Sequence, residues 1–161
     1  MIQSVQRVRV FNQGRVNAPA SEAWGWLTDW AGTRRLRSNP GGQLEFAKIE
    51  LIGGEDEIPR TRVIDFPTLG VVRETLLYQS DAAMHLYYRI DGEGPLGILN
   101  YLATTDIDPL SDSGCLVTIT ARFDLAPDAD ILRAKGLIDA AHNQAVIAGM
   151  RRYFAAGMRR S

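Results

Sequence analysis

The sequence predicts an α+β fold: a curved antiparallel sheet of about seven strands wrapped around a long C-terminal helix, with one or two short helices after the first strand. Three observations predict it. From Gln43 to Leu125 short strand-like runs, clearly alternating apolar and polar in places, follow one another, joined by connections too short for a parallel crossover. From Asp130 to about Gly157 the apolar period becomes helical. A helix-start signal follows directly on the first strand. Residues 1–161 suit one domain with its helices on one face of the sheet.

Taken in order, residues 5–16 alternate loosely through Val8, Val10 and Val16 and form the first strand. Asn17-Ala18-Pro19-Ala20-Ser21-Glu22 opens a helix, because proline suits the first turn and Ser21 and Glu22 lie near its free N–H groups. Ala20, Trp24, Leu27 and Ala31 give that helix one apolar face. Asn39-Pro40-Gly41-Gly42 is a turn, and the strands that follow are 44–52, 60–66, 71–78, 84–90, 96–107 and 116–125. Met84, Leu86, Tyr88 and Ile90 oppose His85, Tyr87 and Arg89; Val117, Ile119, Ala121 and Phe123 oppose Thr118, Thr120 and Arg122. One sheet face is therefore buried and the other wet.

On the last helix Ala134, Leu137, Ile138, Ala141, Ala145 and Ala148 share a face. Such a small-residue stripe fits either close helix–sheet approach or a hollow that takes an apolar guest. Glu74 has the parity of Val72, Leu76 and Tyr78, which puts a carboxylate on the buried face unless a bulge turns it to solvent. A buried carboxylate needs a partner, and Lys48, with the parity of Leu44 and Phe46, is the candidate. Tyr101 shares parity with Leu99, Ala103, Thr105 and Ile107, so its hydroxyl is expected to point inward.

Composition excludes much. Hydrophobic residues are 45% and charged residues 23%, so the chain is not disordered, and a net charge of −1 gives no footprint for nucleic acid. The single cysteine, Cys115, rules out an internal disulfide and fits a cytoplasmic location. No run is long and apolar enough for an integral membrane segment, and the first residues do not read as a signal peptide. Two histidines make no histidine-rich metal site, so neither metal nor cofactor is expected. Gly92-Glu93-Gly94-Pro95-Leu96-Gly97 matches G-x-G-x-x-G, but a strand follows rather than a helix and Pro95 removes a donor. His142, at the border of the stripe, reads as a surface or interfacial residue. Trp26 lies off the first helix's stripe and suits a cavity mouth or a partner, and Arg151, Arg152, Arg159 and Arg160 form a solvated basic end.

The segments Val16 to Trp24, Leu27 to Trp30, Val72 to Leu76, Leu99 to Tyr101 and Phe123 to Pro127, followed by the long helix, resemble the START-like superfamily. This is the helix-grip fold of the birch-pollen allergens, and the bacterial polyketide cyclase/dehydrase and lipid transport group (SRPBCC) is the nearest match. The resemblance implies a cavity between sheet and helix for a hydrophobic or polycyclic small molecule. By likeness to the plant abscisic-acid receptors, it places a ligand-contacting lysine on Lys48, a cavity glutamate on Glu74 and a cavity tyrosine on Tyr101. It puts Ala103 where those receptors carry serine. Their gate loop corresponds to 65–70, with Phe66 and Leu69, and their latch loop to 92–96, with Leu96. The characteristic gate and latch sequences are absent, which argues against a hormone receptor. Tyr88, Leu99, Ile138, Ala141 and Ala145 complete the expected ligand-binding set.

Three functions follow. The first is binding of a hydrophobic small molecule by a monomer or homodimer. The second is cofactor-independent cyclase, dehydratase or lyase chemistry, with Glu74 as base and Tyr101 or Lys48 as acid or oxyanion stabiliser. The third is a protein-interaction module using an apolar patch of Trp26, Val146, Ile147 and Met150.

Overall fold

The computed structural model describes residues 4–36 and 38–157. Seven antiparallel strands form one curved sheet: β1 (Gln6–Val16), β2 (Lys48–Ile52), β3 (Arg60–Phe66), β4 (Gly70–Ser80), β5 (His85–Ile90), β6 (Leu99–Ser111) and β7 (Gly114–Leu125). Their spatial order is β1-β7-β6-β5-β4-β3-β2, a meander from β2 to β7 with β1 returning beside β7. β1 is tied to β7 along its whole length, from Gln6 opposite Leu125 to Val16 opposite Cys115. β2, the other edge, is the shortest strand and pairs only with β3.

Between β1 and β2 lie α1 (Ala20–Thr28) and the single turn α2 (Thr33–Leu36). The last helix begins as α3 (Ile131–Ala140), where the Asp130 carboxylate accepts from the Arg133 backbone N–H at 3.1 Å and caps a free donor. It widens to a π-helical turn over Ala141–Ile147 and finishes as α4 (Ala148–Ala155). The wider turn changes which residues face inward. Val146, Ile147 and Met150, which a straight helix places off the stripe, are buried. The expected exposed patch is therefore absent, since Trp26 is also fully buried and lies against Gly149. Arg151 and Arg152 are tethered rather than free, donating to the carbonyls of Arg15 (2.8 Å) and Ser38 (2.9 Å); Arg159 and Arg160 lie outside the described residues.

Two apolar clusters fill the concave face. One joins the tryptophans of α1 and its neighbourhood (Trp24, Trp26, Trp30) to Ile147, Met150, Tyr153 and Phe154. The other joins Val8, Val10, Phe123 and Tyr101 to Ala134 and Ile138. Tyr88 packs against both.

Gly32 turns the chain between α1 and α2 with φ of +79°, and a Cβ there would run into the Ile49 side chain of β2. Gly136, in the middle of α3, has open space where its Cβ would be. Gly32→Ala is therefore expected to lower the unfolding free energy by about 1–2 kcal/mol or more. Gly136→Ala should raise it by about 0.5–1 kcal/mol. Urea denaturation of the two variants checks this, and shifts of the same sign would contradict the packing described.

Candidate functional site

Beneath the last helix, between the two clusters, the concave face leaves a pocket. Its empty space is about 750 Å³ with adjoining open solvent included, and about 80 Å³ is open to the centre of a water-sized sphere. The void is thus a narrow slot. The sheet supplies Ile49, Ile64, Val72, Glu74, Tyr88 and Tyr101; the helix supplies Leu137, Ile138, Ala141, His142, Ala145 and Val146. Leu44, Phe46, Phe66, Leu69 and Pro95 close its sides, and Arg35 enters from α2.

Strand parity explains who points inward. In β3, Arg60, Arg62 and Ile64 are buried; in β4, Val72 and Leu76 are buried with Glu74 between them. Arg62 stands opposite Glu74 in the register. Its Nε and Nη2 donate to the same carboxylate oxygen, Glu74 Oε2, at 3.1 and 2.7 Å. The pair is deep: the side chains are 3% and 13% exposed. The Arg62 guanidinium also lies on the Trp30 ring, 3.6 Å from its centroid. Removing one partner of such a pair costs about 3–5 kcal/mol.

Lys48 is not that partner. Ala47 and Lys48 are consecutively exposed between buried Phe46 and half-buried Ile49, so the alternation slips by one residue where β2 begins. Lys48 faces solvent and pairs with Glu50. Tyr78 turns outward because a bulge interrupts the β4–β5 register between Leu76 and Tyr78. Leu99 is also half out: the β6–β7 register shifts between Leu99 and Leu102, with Asn100 in left-handed backbone at φ of +54°. Leu96, at φ of +57° in the Pro95–Gly97 turn, is exposed, and Pro95 lines the slot in its place. Ala103 is buried in the cluster around Tyr101 without reaching the pocket wall. Glu74, Tyr88, Tyr101, Phe66, Leu69, Ile138, Ala141 and Ala145 do come together around the slot.

Three residues that sequence reasoning passed over belong to the same site: Arg35, Arg62 and His142. The parity of Arg62 with Ile64 and Phe66 is a signal for one of them. For His142 the π-turn hides it. That histidine is 1% exposed, not superficial as expected. Its Nδ1 faces the Asn12 amide nitrogen at 3.2 Å, and its Nε2 faces the Tyr101 hydroxyl at 2.9 Å. The amide orientation is determined on both sides. Asn12 Nδ2 also donates to the Asp139 carboxylate (3.1 Å), and Asn143 Nδ2 donates to Asn12 Oδ1 (2.7 Å). A carboxylate only accepts, so the Asn12 nitrogen must face Asp139 and hence His142. Nδ1 is then an acceptor, the imidazole proton sits on Nε2, and it is donated to Tyr101. The tyrosine keeps its own hydrogen to give to Tyr88 Oη at 3.4 Å or to a guest.

Ionisation agrees with this arrangement. Burial pulls His142 down to about 4, against the opposing charge of Asp139. Burial alone would raise Asp139, but hydrogen bonds from Lys135 and Asn12 outweigh it and hold the carboxyl below its ordinary value. Burial, helped by the Glu74 charge, pushes Tyr88 up to about 12, and burial beside Tyr88 drives Tyr101 well above its ordinary value. At neutral pH the site therefore presents two phenolic O–H groups and a neutral imidazole. Among the described residues, no group of His, Cys, Asp or Glu is placed to hold a metal ion, and no helix is long and apolar enough to cross a membrane.

Because His142 is neutral in the fold and binds a proton more readily when unfolded, stability falls as pH drops from about 6.5 toward about 4. The loss expected from this group is roughly 3 kcal/mol by the lower end of that window. His142→Gln, whose amide does not titrate, should lose that much less stability between pH 7 and pH 4 in urea denaturation. Parallel pH profiles for the two proteins would show that His142 is not held neutral.

Comparison with known proteins places this geometry. The family described as polyketide cyclase / dehydrase and lipid transport matches residues 7–160. No curated protein sequence matches. Among solved structures, norcoclaurine synthase from Thalictrum flavum superposes with a TM-score of 0.74 at 18% identity, covering 94% of this chain and 88% of that one. A protein from Nitrosospira multiformis gives 0.71 at 18% identity, covering 95% and 100%. One from Thermobifida fusca gives 0.67 at 23% identity, covering 90% and 92%.

Proposed function

The chain belongs to the polyketide cyclase / dehydrase and lipid transport family, and on that premise we propose that it binds a hydrophobic small molecule, planar or linear, in the slot beneath its last helix. The observation that carries the reading is the lining: a wall of aliphatic and aromatic side chains interrupted by Glu74, Tyr88, Tyr101, His142 and Arg35. An apolar slot with few polar groups, of which Glu74, Tyr88, Tyr101 and His142 each have a side-chain partner, suits a guest that is mostly greasy and bears one or two polar atoms. Burying about 200 Å² of such a guest contributes roughly 5 kcal/mol at about 25 cal/mol per Å², before the cost of immobilising it. The small volume favours compact guests. A structure of norcoclaurine synthase holds dopamine and hydroxybenzaldehyde.

Turnover is the second reading, and one observation favours it. Asp139, Asn12 and His142 form a relay that ends on a hydroxyl facing the same slot as a carboxylate. Tyr101 as proton donor and Glu74 as base would then move protons on an enolisable guest without a cofactor. Comparing conversion of a bound substrate by the native protein and by Glu74→Gln tests this, and equal rates remove Glu74 from the chemistry.

The neutral fluorophore phenylnaphthylamine tests the binding reading. Saturable uptake with one-to-one stoichiometry is expected. Ala141→Phe and Ala145→Phe, which put a ring into the slot, should each weaken it about tenfold or more while the protein stays folded. Absence of uptake, or uptake indifferent to both substitutions, would overturn it.

A further inference from the structure

Arg35 stands apart from the other charged groups of the slot. Glu74 is ion-paired with Arg62, and Asp29, near Arg35 in sequence, accepts from the Arg34 backbone N–H at 2.9 Å. The Arg35 guanidinium makes no ion pair and no side-chain hydrogen bond among the described residues. Its one specific contact is the face of Trp26, 5.2 Å from the ring centroid. Even so it lines a wall that is otherwise mostly apolar. A half-buried cation there feels the Glu74 and Asp29 charges without an ion-pair contact to either.

The charges can be summed. Arg35 and Arg62 carry one positive charge each and Glu74 carries one negative. His142 and the two tyrosines are neutral near pH 7. The slot wall with its ion-pair partner is therefore one positive charge in excess, and the Asp29 carboxylate that acts on Arg35 does not line it. A monoanion balances it, whereas a phosphate dianion would overshoot. The hydroxyl hydrogen that Tyr101 retains also favours a guest whose polar end accepts hydrogen bonds. Burial lowers the guanidinium of Arg35 to about 10, with Arg62 adding to the shift, so it remains charged at neutral pH.

We infer that the guest is an amphipathic carboxylic acid, with an apolar body in the slot and its carboxylate paired with Arg35. This rests on the ligand-binding reading above and narrows it to one chemical class. A guanidinium and a carboxylate meet in parallel hydrogen bonds, which are stronger away from bulk water.

Displacement of phenylnaphthylamine by naphthoate and by its methyl ester tests the inference, since the two differ essentially in charge. The acid is expected to bind about tenfold tighter than the ester near pH 7.5. Arg35→Met should reduce that ratio below about twofold, and Arg35→Lys should keep most of it. If the ester binds and the acid binds no tighter, the inference is overturned and the binding reading stands. A ratio that survives in Arg35→Met overturns it too, and displacement by neither compound overturns both. Should Arg35→Met fail to fold, the acid-to-ester ratio of the native protein at low and high salt decides. A preference for the acid that weakens as salt rises supports the pairing, and no preference at either salt overturns it.

Discussion

A guanidinium and a carboxylate facing each other across neighbouring strands govern what the concave face of this sheet can hold. Arg62 and Glu74 sit where strand parity requires apolar residues, so each is tolerated only because the other is present. Trp30 covers the guanidinium, and Glu74, Tyr88 and Arg35 put polar groups on the slot wall. Filling the same volume with leucine would give a solid core and no room for a guest. Charge and emptiness are thus linked: the groups that cannot be packed over keep the space open.

The helix meets this face through a second buried contact. His142 reaches Tyr101 because the helix widens for one turn, and the wider turn carries Val146 and Ile147 inward as well. Asp139, Asn12 and Asn143 then hold the imidazole in one tautomer from behind. Helix, first strand and sixth strand are joined by a single chain of hydrogen bonds, and its end is a phenol whose hydrogen is directed away from its donor. The polarity of the slot wall follows from residues that never touch the slot.

Much of this architecture was legible in the residue pattern. The strands from 60 onward, the placement of Glu74 between Val72 and Leu76, and the inward set Tyr101, Ala103, Thr105 and Ile107 follow from period-two alternation alone. Alternation fails wherever one residue is inserted. The slip before Ile49 turned Lys48 outward, the bulge after Leu76 turned Tyr78 outward, and left-handed Asn100 did the same to Leu99. Each error is local because register recovers within a strand. The π-turn is a different failure: a count at 100° per residue cannot anticipate it, so His142 reads as a border residue and Val146 as off the stripe, whereas both are buried. Arg62 was readable by parity with Ile64, but a buried arginine is credible only once its carboxylate is seen opposite it.

The sheet is open, and its two margins are unequal. One margin, β1, is sewn to its neighbour over eleven residues and fastened from above by Asn12 and Arg15. The other, β2, has five residues, one neighbour, and a glycine turn beneath which Ile49 forms part of the slot wall. Fraying costs least at that margin. Local opening along this short strand would carry Ile49, one piece of the slot wall, with it, while the opposite margin stays paired.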